Sequence, residues 1–191
     1  MRTAKKYVIL ILTMVTIVQR NDAILRGRAK PVPVSDISSK KIKKILSDMK
    51  SALHAENDGV GIAAPQIGVP LRLFVVNGVI LRTQKRKGEN QEDIEVVPPD
   101  LVFINPEITK LSRDRKKMEE GCLSVRPLFG MVERSSKATI RAYDENGKPF
   151  VRGASGLLAQ IFQHEVDHLN GILFIDHATD LREIPYDAQE Q

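Results

Sequence analysis

His164-Glu165-Val166-Asp167-His168 carries two imidazoles four residues apart, a spacing that puts both on one side of a helix, where they can grip one metal ion. Glu165 stands beside the first of them. In an HExxH helix the ion polarises a water and the carboxylate takes its proton, so the pentapeptide predicts metal-assisted hydrolysis at neutral pH. The flanking residues read as helical. Leu157, Leu158, Ile161, Phe162 and Leu169 recur at helical intervals, and the two histidines extend the Leu157/Ile161 line, which turns them inward. Gly156 lies near the start of the segment, and Gly171 just past its end suits the left-handed position that stops a helix. The competing interpretation is a pair of satisfied histidines on an amphipathic core helix.

A catalytic site of this kind takes three protein ligands and keeps one position open for water. His54, at the polar edge of an earlier helix, and His177, beyond the metal helix, sit in no motif. Cys122 is the better candidate. As the single cysteine of the chain it cannot form an internal disulfide, and a thiolate is a soft ligand for zinc or ferrous iron. Its setting, Glu119-Glu120-Gly121-Cys122-Leu123-Ser124, suits an ordered loop better than the core strand of an inert buried cysteine. A further segment, Gly59-Val60-Gly61-Ile62-Ala63-Ala64-Pro65-Gln66, offers two glycines for close backbone approach and ends in an amide. No Lys-Ser/Thr pair follows it and its spacing is not a dinucleotide fingerprint, which argues against a nucleotide site.

Taken together, the three blocks resemble the signatures of peptide deformylase, GxGxAAPQ, EGCLS and QHExDHLxG, in that order. Residues 59–66, 120–124 and 163–171 match without a gap, and the similarity extends through Ile17-Val18-Gln19, Ala29-Lys30-Pro31-Val32, Asn105-Pro106 and Leu173-Phe174-Ile175-Asp176. Carried over position by position, the resemblance implies that Cys122, His164 and His168 hold one divalent metal, ferrous iron by preference and zinc as the alternative. It implies Glu165 as general base and later acid. A hydroxide on the metal would attack the formyl carbon of an N-formylmethionyl peptide, the oxyanion being held by the metal, the Gln66 amide and the Leu123 backbone N–H. Backbone groups at Val60, Gly61 and Gly121 would line the peptide cleft in the manner of an added strand. The resemblance further implies a cytoplasmic enzyme of protein biosynthesis acting on nascent chains. Two other readings stand beside it. A metalloprotease would recruit His177 as third ligand and leave the Gly-Cys-Leu-Ser block without a role. An idle metal-binding or ribosome-binding protein would be expected to have lost Glu165 or Gln66, and both are present.

The elements that must position these residues read as one α+β domain over residues 17–191, preceded by an extension of residues 1–16. A chain of 191 residues with 42% apolar content can bury a real core. Ile42, Ile45, Leu46, Met49, Ala52 and Leu53 trace a helical stripe, whereas Leu71-Arg72-Leu73-Phe74-Val75-Val76 and Ala138-Thr139-Ile140-Arg141-Ala142-Tyr143 read as strands. Asp144-Glu145-Asn146-Gly147-Lys148 supplies a hairpin turn. Strands grouped between two main helices predict a mixed, mainly antiparallel sheet packed around the metal-binding helix. The polar stretch 77–100 reads as a surface excursion, longer than the connection in many relatives. Arg126-Pro127 stands where many relatives continue directly with proline, which bears on the rim of the peptide cleft.

Arg2, Lys5 and Lys6 precede an apolar run over residues 7–18, the plan of a secretory signal peptide. The run has 12 residues, against roughly 20 for a membrane span, so no membrane association is expected. No small-x-small cleavage site follows, and eight of the twelve are β-branched, which favours a buried strand reaching residues 17–19. Translation from Met14 would suit the point at which the resemblance begins. The net charge is +5. Basic clusters at Lys40-Lys41, Lys43-Lys44, 82–87 and 113–117 could meet ribosomal RNA. Residues 40–44 fall on the solvent side of a helix, however, and no stacking aromatics accompany the clusters, so sequence-specific nucleic-acid binding is not expected.

Overall fold

The structure, a computed structural model, describes residues 15–84 and 97–184. Residues 1–14, which hold the start of the apolar N-terminal run, half of the polar excursion, residues 85–96, and residues 185–191 lie outside the described residues. Helix α1, Lys40–His54, opens where the Ser39 hydroxyl accepts from the Ile42 N–H at 3.3 Å. It buries Ile42, Ile45, Leu46, Met49, Ala52 and Leu53, the six residues of the predicted stripe, and leaves Lys40, Lys41, Lys43 and Lys44 exposed.

Two antiparallel sheets follow. The larger comprises β1 (Gly61–Ala63), β2 (Leu73–Val76), β3 (Leu101–Leu111), β6 (Lys137–Tyr143) and β7 (Pro149–Ser155) in the order β1-β2-β3-β6-β7. The smaller comprises β4 (Arg115–Gly121), β5 (Leu128–Ser135) and β8 (Thr179–Glu183) in the order β4-β5-β8. Helix α2, Gly156–Leu169, contacts strands of both sheets, and the architecture is the α+β class the sequence predicts. Strand alternation explains why β2 is apolar throughout. Phe74 and Val76 face α2, where Phe74 stacks on Phe103 with centroids 4.4 Å apart and Phe103 meets Phe162 edge-on at 5.0 Å. Leu73 and Val75 face the α1 side beside Ile62, Met49 and Ile104.

Local chemistry sets the boundaries. Asp144 Oδ1 accepts from the N–H groups of Asn146 and Lys148, both at 2.9 Å, and closes the β6–β7 hairpin. Gly171 ends α2 at φ +80°, and a Cβ there would lie 2.6 Å from the Arg26 carbonyl oxygen. The expected strand over residues 17–19 does not form. The Val18 N–H donates to Gln66 O at 2.9 Å, but Gln66 belongs to a 3-10 turn, Ala64–Ile67, whose backbone cannot continue a ladder. Val15 and Ile17 instead pack against the α1-side core. The strand expected from Leu71 begins at Leu73, because Leu71 makes an isolated bridge with Lys30. No helix among the described residues is long and apolar enough to cross a membrane.

Candidate active site

Strand β4 delivers Cys122 to the inward face of α2. The strand ends at Gly121, and a turn closed by Val125 N–H to Cys122 O at 2.9 Å carries Leu123 and Ser124. Cys122 Sγ lies 3.2 Å from His168 Nε2. The His164 and His168 rings are 4.9 Å apart at an interplanar angle of 75°. Cys122, His164 and His168 thus bring one ligand atom each within 4.8 Å of one another, the one group of this kind found among the described residues. The other two histidines take no part: His54 pairs with Asp100 at 3.1 Å, and His177 caps a 3-10 turn beyond α2.

A buried network orients the cluster. Glu120 Oε2 meets His164 Nδ1 at 2.9 Å, which leaves Nε2 to face the cluster. Arg134 on β5 grips both oxygens of Glu120, Nε at 2.8 Å and Nη2 at 3.0 Å, and its Nη1 reaches Asp167 of α2 at 2.6 Å. Burial alone would raise the Glu120 carboxyl, but its hydrogen bonds with His164 and Arg134 outweigh that and bring it down to about 2. Burial and then the neighbouring His164 hold His168 well below the usual histidine value. His168 Nδ1 is buried without a hydrogen-bond partner. A thiol and two imidazoles, one oriented by a carboxylate, fit a divalent ion of the zinc or ferrous type.

Glu165 sits beside this cluster, 3% exposed. Burial pushes its carboxyl up to about 7, with His164 acting in the opposite direction. Its Oε2 has no partner. Gly61 packs directly on it: a Cβ at Gly61 would stand 2.6 Å from Glu165 Oε1. Gln66 is buried, with Oε1 accepting from the Ala63 N–H at 2.8 Å. That bond fixes the amide, so Nε2 points to Ser124 Oγ at 3.2 Å and Cys122 Sγ at 3.6 Å.

These groups open on a cavity of about 200 Å³ whose walls come from both sheets. Val60 and Gly61 enter the lining from the start of β1, Gly121, Leu123 and Phe129 from β4, β5 and the turn between them, and Leu157 and Ile161 from α2 as apolar surface. Strands β1 and β4 are terminal strands of their sheets, and an outer strand offers unpaired backbone groups. The structure therefore gathers all nine residues singled out in the sequence at or beside one cavity. Sequence reasoning missed Glu120, Arg134, Asp167 and Ser124. Glu120 and Asp167 lie inside recognisable blocks and could have been questioned there. Nothing local marks Arg134.

The sequence profile of polypeptide deformylase matches residues 14–183. The chain belongs to the peptide deformylase family. The peptide deformylase of Rhizobium meliloti (strain 1021) is 38% identical over 161 residues, which cover 84% of this chain and 83% of that one. The peptide deformylase of Syntrophomonas wolfei is 42% identical over 159 residues, 83% of this chain and 90% of that one. Among solved structures, the Met-Ala-Ser-bound class I type b peptide deformylase from Acinetobacter baumannii superposes with a TM-score of 0.72 at 32% identity, covering 86% of this chain and 99% of that one. As a member of a metal-dependent hydrolase family, the chain is an enzyme that removes formyl groups from peptides.

Proposed function

We propose that the enzyme deformylates N-formylmethionyl peptides with Cys122, His164 and His168 as metal ligands and Glu165 as the proton-transfer group. The carrying observation is the conjunction of the three ligand atoms within 4.8 Å with Glu165 and Gln66 beside the same cavity. A divalent ion held there would supply Lewis-acid polarisation and lower the pKa of water; ligand softness suits ferrous iron and zinc alike, and the family resemblance favours iron. Glu165, whose burial poises it near neutrality, takes the proton of the attacking water and returns it to the departing amine. Gln66 Nε2, its direction fixed through Ala63, donates to the developing oxyanion. The Leu123 N–H is the second donor, because the bond that closes the Cys122–Val125 turn does not use the N–H of its second residue.

The peptide lies extended between the outer edges of β1 and β4, meeting backbone groups at Val60, Gly61 and Gly121, with the methionine side chain on the flank of Leu157 and Ile161. A Cβ at Gly121 would stand 2.5 Å from Phe129 Cε1, so a side chain there would have to displace that ring. Formate release from formyl-Met-Ala-Ser, with Glu165→Ala as control, tests this reading.

The catalytic domain is assigned to residues 17–191, and residues 1–16 to an extension. Action on nascent chains in the cytoplasm would bring the enzyme to ribosomal RNA. Lys110, Arg113, Arg115, Lys116, Lys117 and Lys137, all exposed around the connection from β3 to β4, are the surface charged for that contact. Salt-sensitive co-sedimentation with ribosomes, weakened by neutralising three of these cations, is the expected result; salt-independent co-sedimentation would contradict it.

A further inference from the structure

Outside the metal site, an ion triad of Arg126, Glu56 and Asp58 adjoins the cavity. Arg126 follows the Cys122–Val125 turn, in the segment where the sequence departs from many relatives. Its Nη1 donates to Glu56 Oε2 at 2.8 Å and its Nη2 donates to Asp58 Oδ1. Glu56 and Asp58 lie in the turn between α1 and β1, which Gly59 N–H closes onto Glu56 O at 3.1 Å. One guanidinium therefore ties the loop that carries Leu123 to the loop that leads into Val60 and Gly61, and Arg126 and Asp58 themselves line the cavity. The two loops line the cavity from different sheets. Neither is braced by a strand ladder across the cleft, because β1 and β4 belong to different sheets and both are terminal strands. The side chains of Arg126 and Glu56 are 24% exposed and that of Asp58 39%, so the Glu56 arm is partly shielded and the Asp58 arm is open to salt.

We propose that Arg126 is a positioning residue, a clasp that fixes the separation of the cleft walls so that an extended peptide meets both edges in one register. The proposal rests on the deformylase reading of the cavity. The chemistry calls for arginine, whose planar fork serves two carboxylates on different residues, whereas a lysine ammonium is a point charge that satisfies one of them well.

Formyl-Met-Ala-Ser-amide, which carries no charge, removes any direct pairing between substrate and Arg126. With the metal-loaded enzyme at low salt, Arg126→Ala raises KM about fivefold, the size expected for losing two partly exposed pairs, and KM carries most of the loss in kcat/KM. Binding of the product Met-Ala-Ser-amide, followed by calorimetry, weakens by the same factor, and Arg126→Lys restores part of it. Glu56→Gln with Asp58→Asn moves KM and product affinity in the same direction, and adding Arg126→Ala to that pair costs less than Arg126→Ala does in wild type. Raising salt from about 50 to about 500 mM lifts the wild-type KM towards that of Arg126→Ala, which stays flat. The salt series on wild-type protein and the Glu56/Asp58 variant decide the matter even where Arg126→Ala folds poorly. An unchanged KM and product affinity in Arg126→Ala overturns the clasp. So does an effect of Arg126→Ala that is as large in the Glu56/Asp58 variant as in wild type, which would make the two carboxylates irrelevant to its role. Wild-type protein that released no formate would overturn the deformylase reading and the clasp with it, whereas normal wild-type turnover with an insensitive Arg126→Ala overturns the clasp alone.

Discussion

Replacing Gly61 with alanine sets a methyl carbon 2.6 Å from Glu165 Oε1 and 3.1 Å from Ile161 Cγ2, where ordinary contact begins at 3.4 Å. The carboxylate oxygen would have to retreat by 3.4 − 2.6, or about 0.8 Å, and Ile161 closes the neighbouring direction. A displacement near 1 Å at a reacting group costs on the order of a hundredfold in rate, equivalent to about 2.7 kcal/mol of transition-state stabilisation. Overpacking of this kind takes a further 1 to 3 kcal/mol, roughly, from stability. None of the three ligand residues is touched, so Gly61→Ala retains its metal. The assay is steady-state formate release from formyl-Met-Ala-Ser, with metal content and thermal unfolding followed on the same preparations. The expected result is full metal, a folded protein and a loss of about two orders of magnitude in kcat/KM carried chiefly by kcat. Wild-type kcat in Gly61→Ala would refute the packing argument, and a loss confined to KM would mean that the three-residue strand β1 yields instead of Glu165.

Cys122→Ala should lose metal while Glu165→Ala keeps it and loses turnover; equal metal loss in both would make Glu165 a ligand. Arg134→Met strands the buried Glu120 charge, and breaking a buried pair in this way costs about 3 to 5 kcal/mol. Urea unfolding should report that loss, together with a 10- to 100-fold drop, roughly, in metal affinity as His164 loses its oriented partner. Asp176 titrates below its ordinary value of 3.8: burial would raise it, but the hydrogen bonds from Arg26 and the Leu173 N–H prevail. Its folded form therefore binds protons less readily than the unfolded chain, so its contribution to stability is present above that ordinary value and fades as pH falls below it. Asp176→Asn should be less stable than wild type at neutral pH, with the difference shrinking under acid, and a difference independent of pH in the unfolding titration would contradict this.

Helix α2 was legible because periodicity, two framing glycines and the HExxH spacing agree over one short stretch. Strand β6 and its hairpin were legible for the same reason, a six-residue run ending in turn chemistry at Asp144. Strand β4 was not. Arg115-Lys116-Lys117-Met118-Glu119-Glu120 has the composition of a solvated loop, and its extended form depends on pairing along its length with β5. The run over residues 17–19 failed in the opposite direction: strong β propensity met a 3-10 turn rather than an extended partner. At the site, residues that act within one block could be read, but those that act across the fold could not. Arg134 reaches Glu120 across 14 residues and Asp167 across 33. Arg126 meets Glu56 across 70, and no local pattern encodes such pairs.

The most direct test of the account is formate release from formyl-Met-Ala-Ser by anaerobically purified protein, with metal content measured on the same sample and Glu165→Ala alongside. The account predicts Glu165-dependent release with about one metal per chain. No release from fully metallated protein, reconstituted in turn with iron, cobalt and zinc, would contradict it.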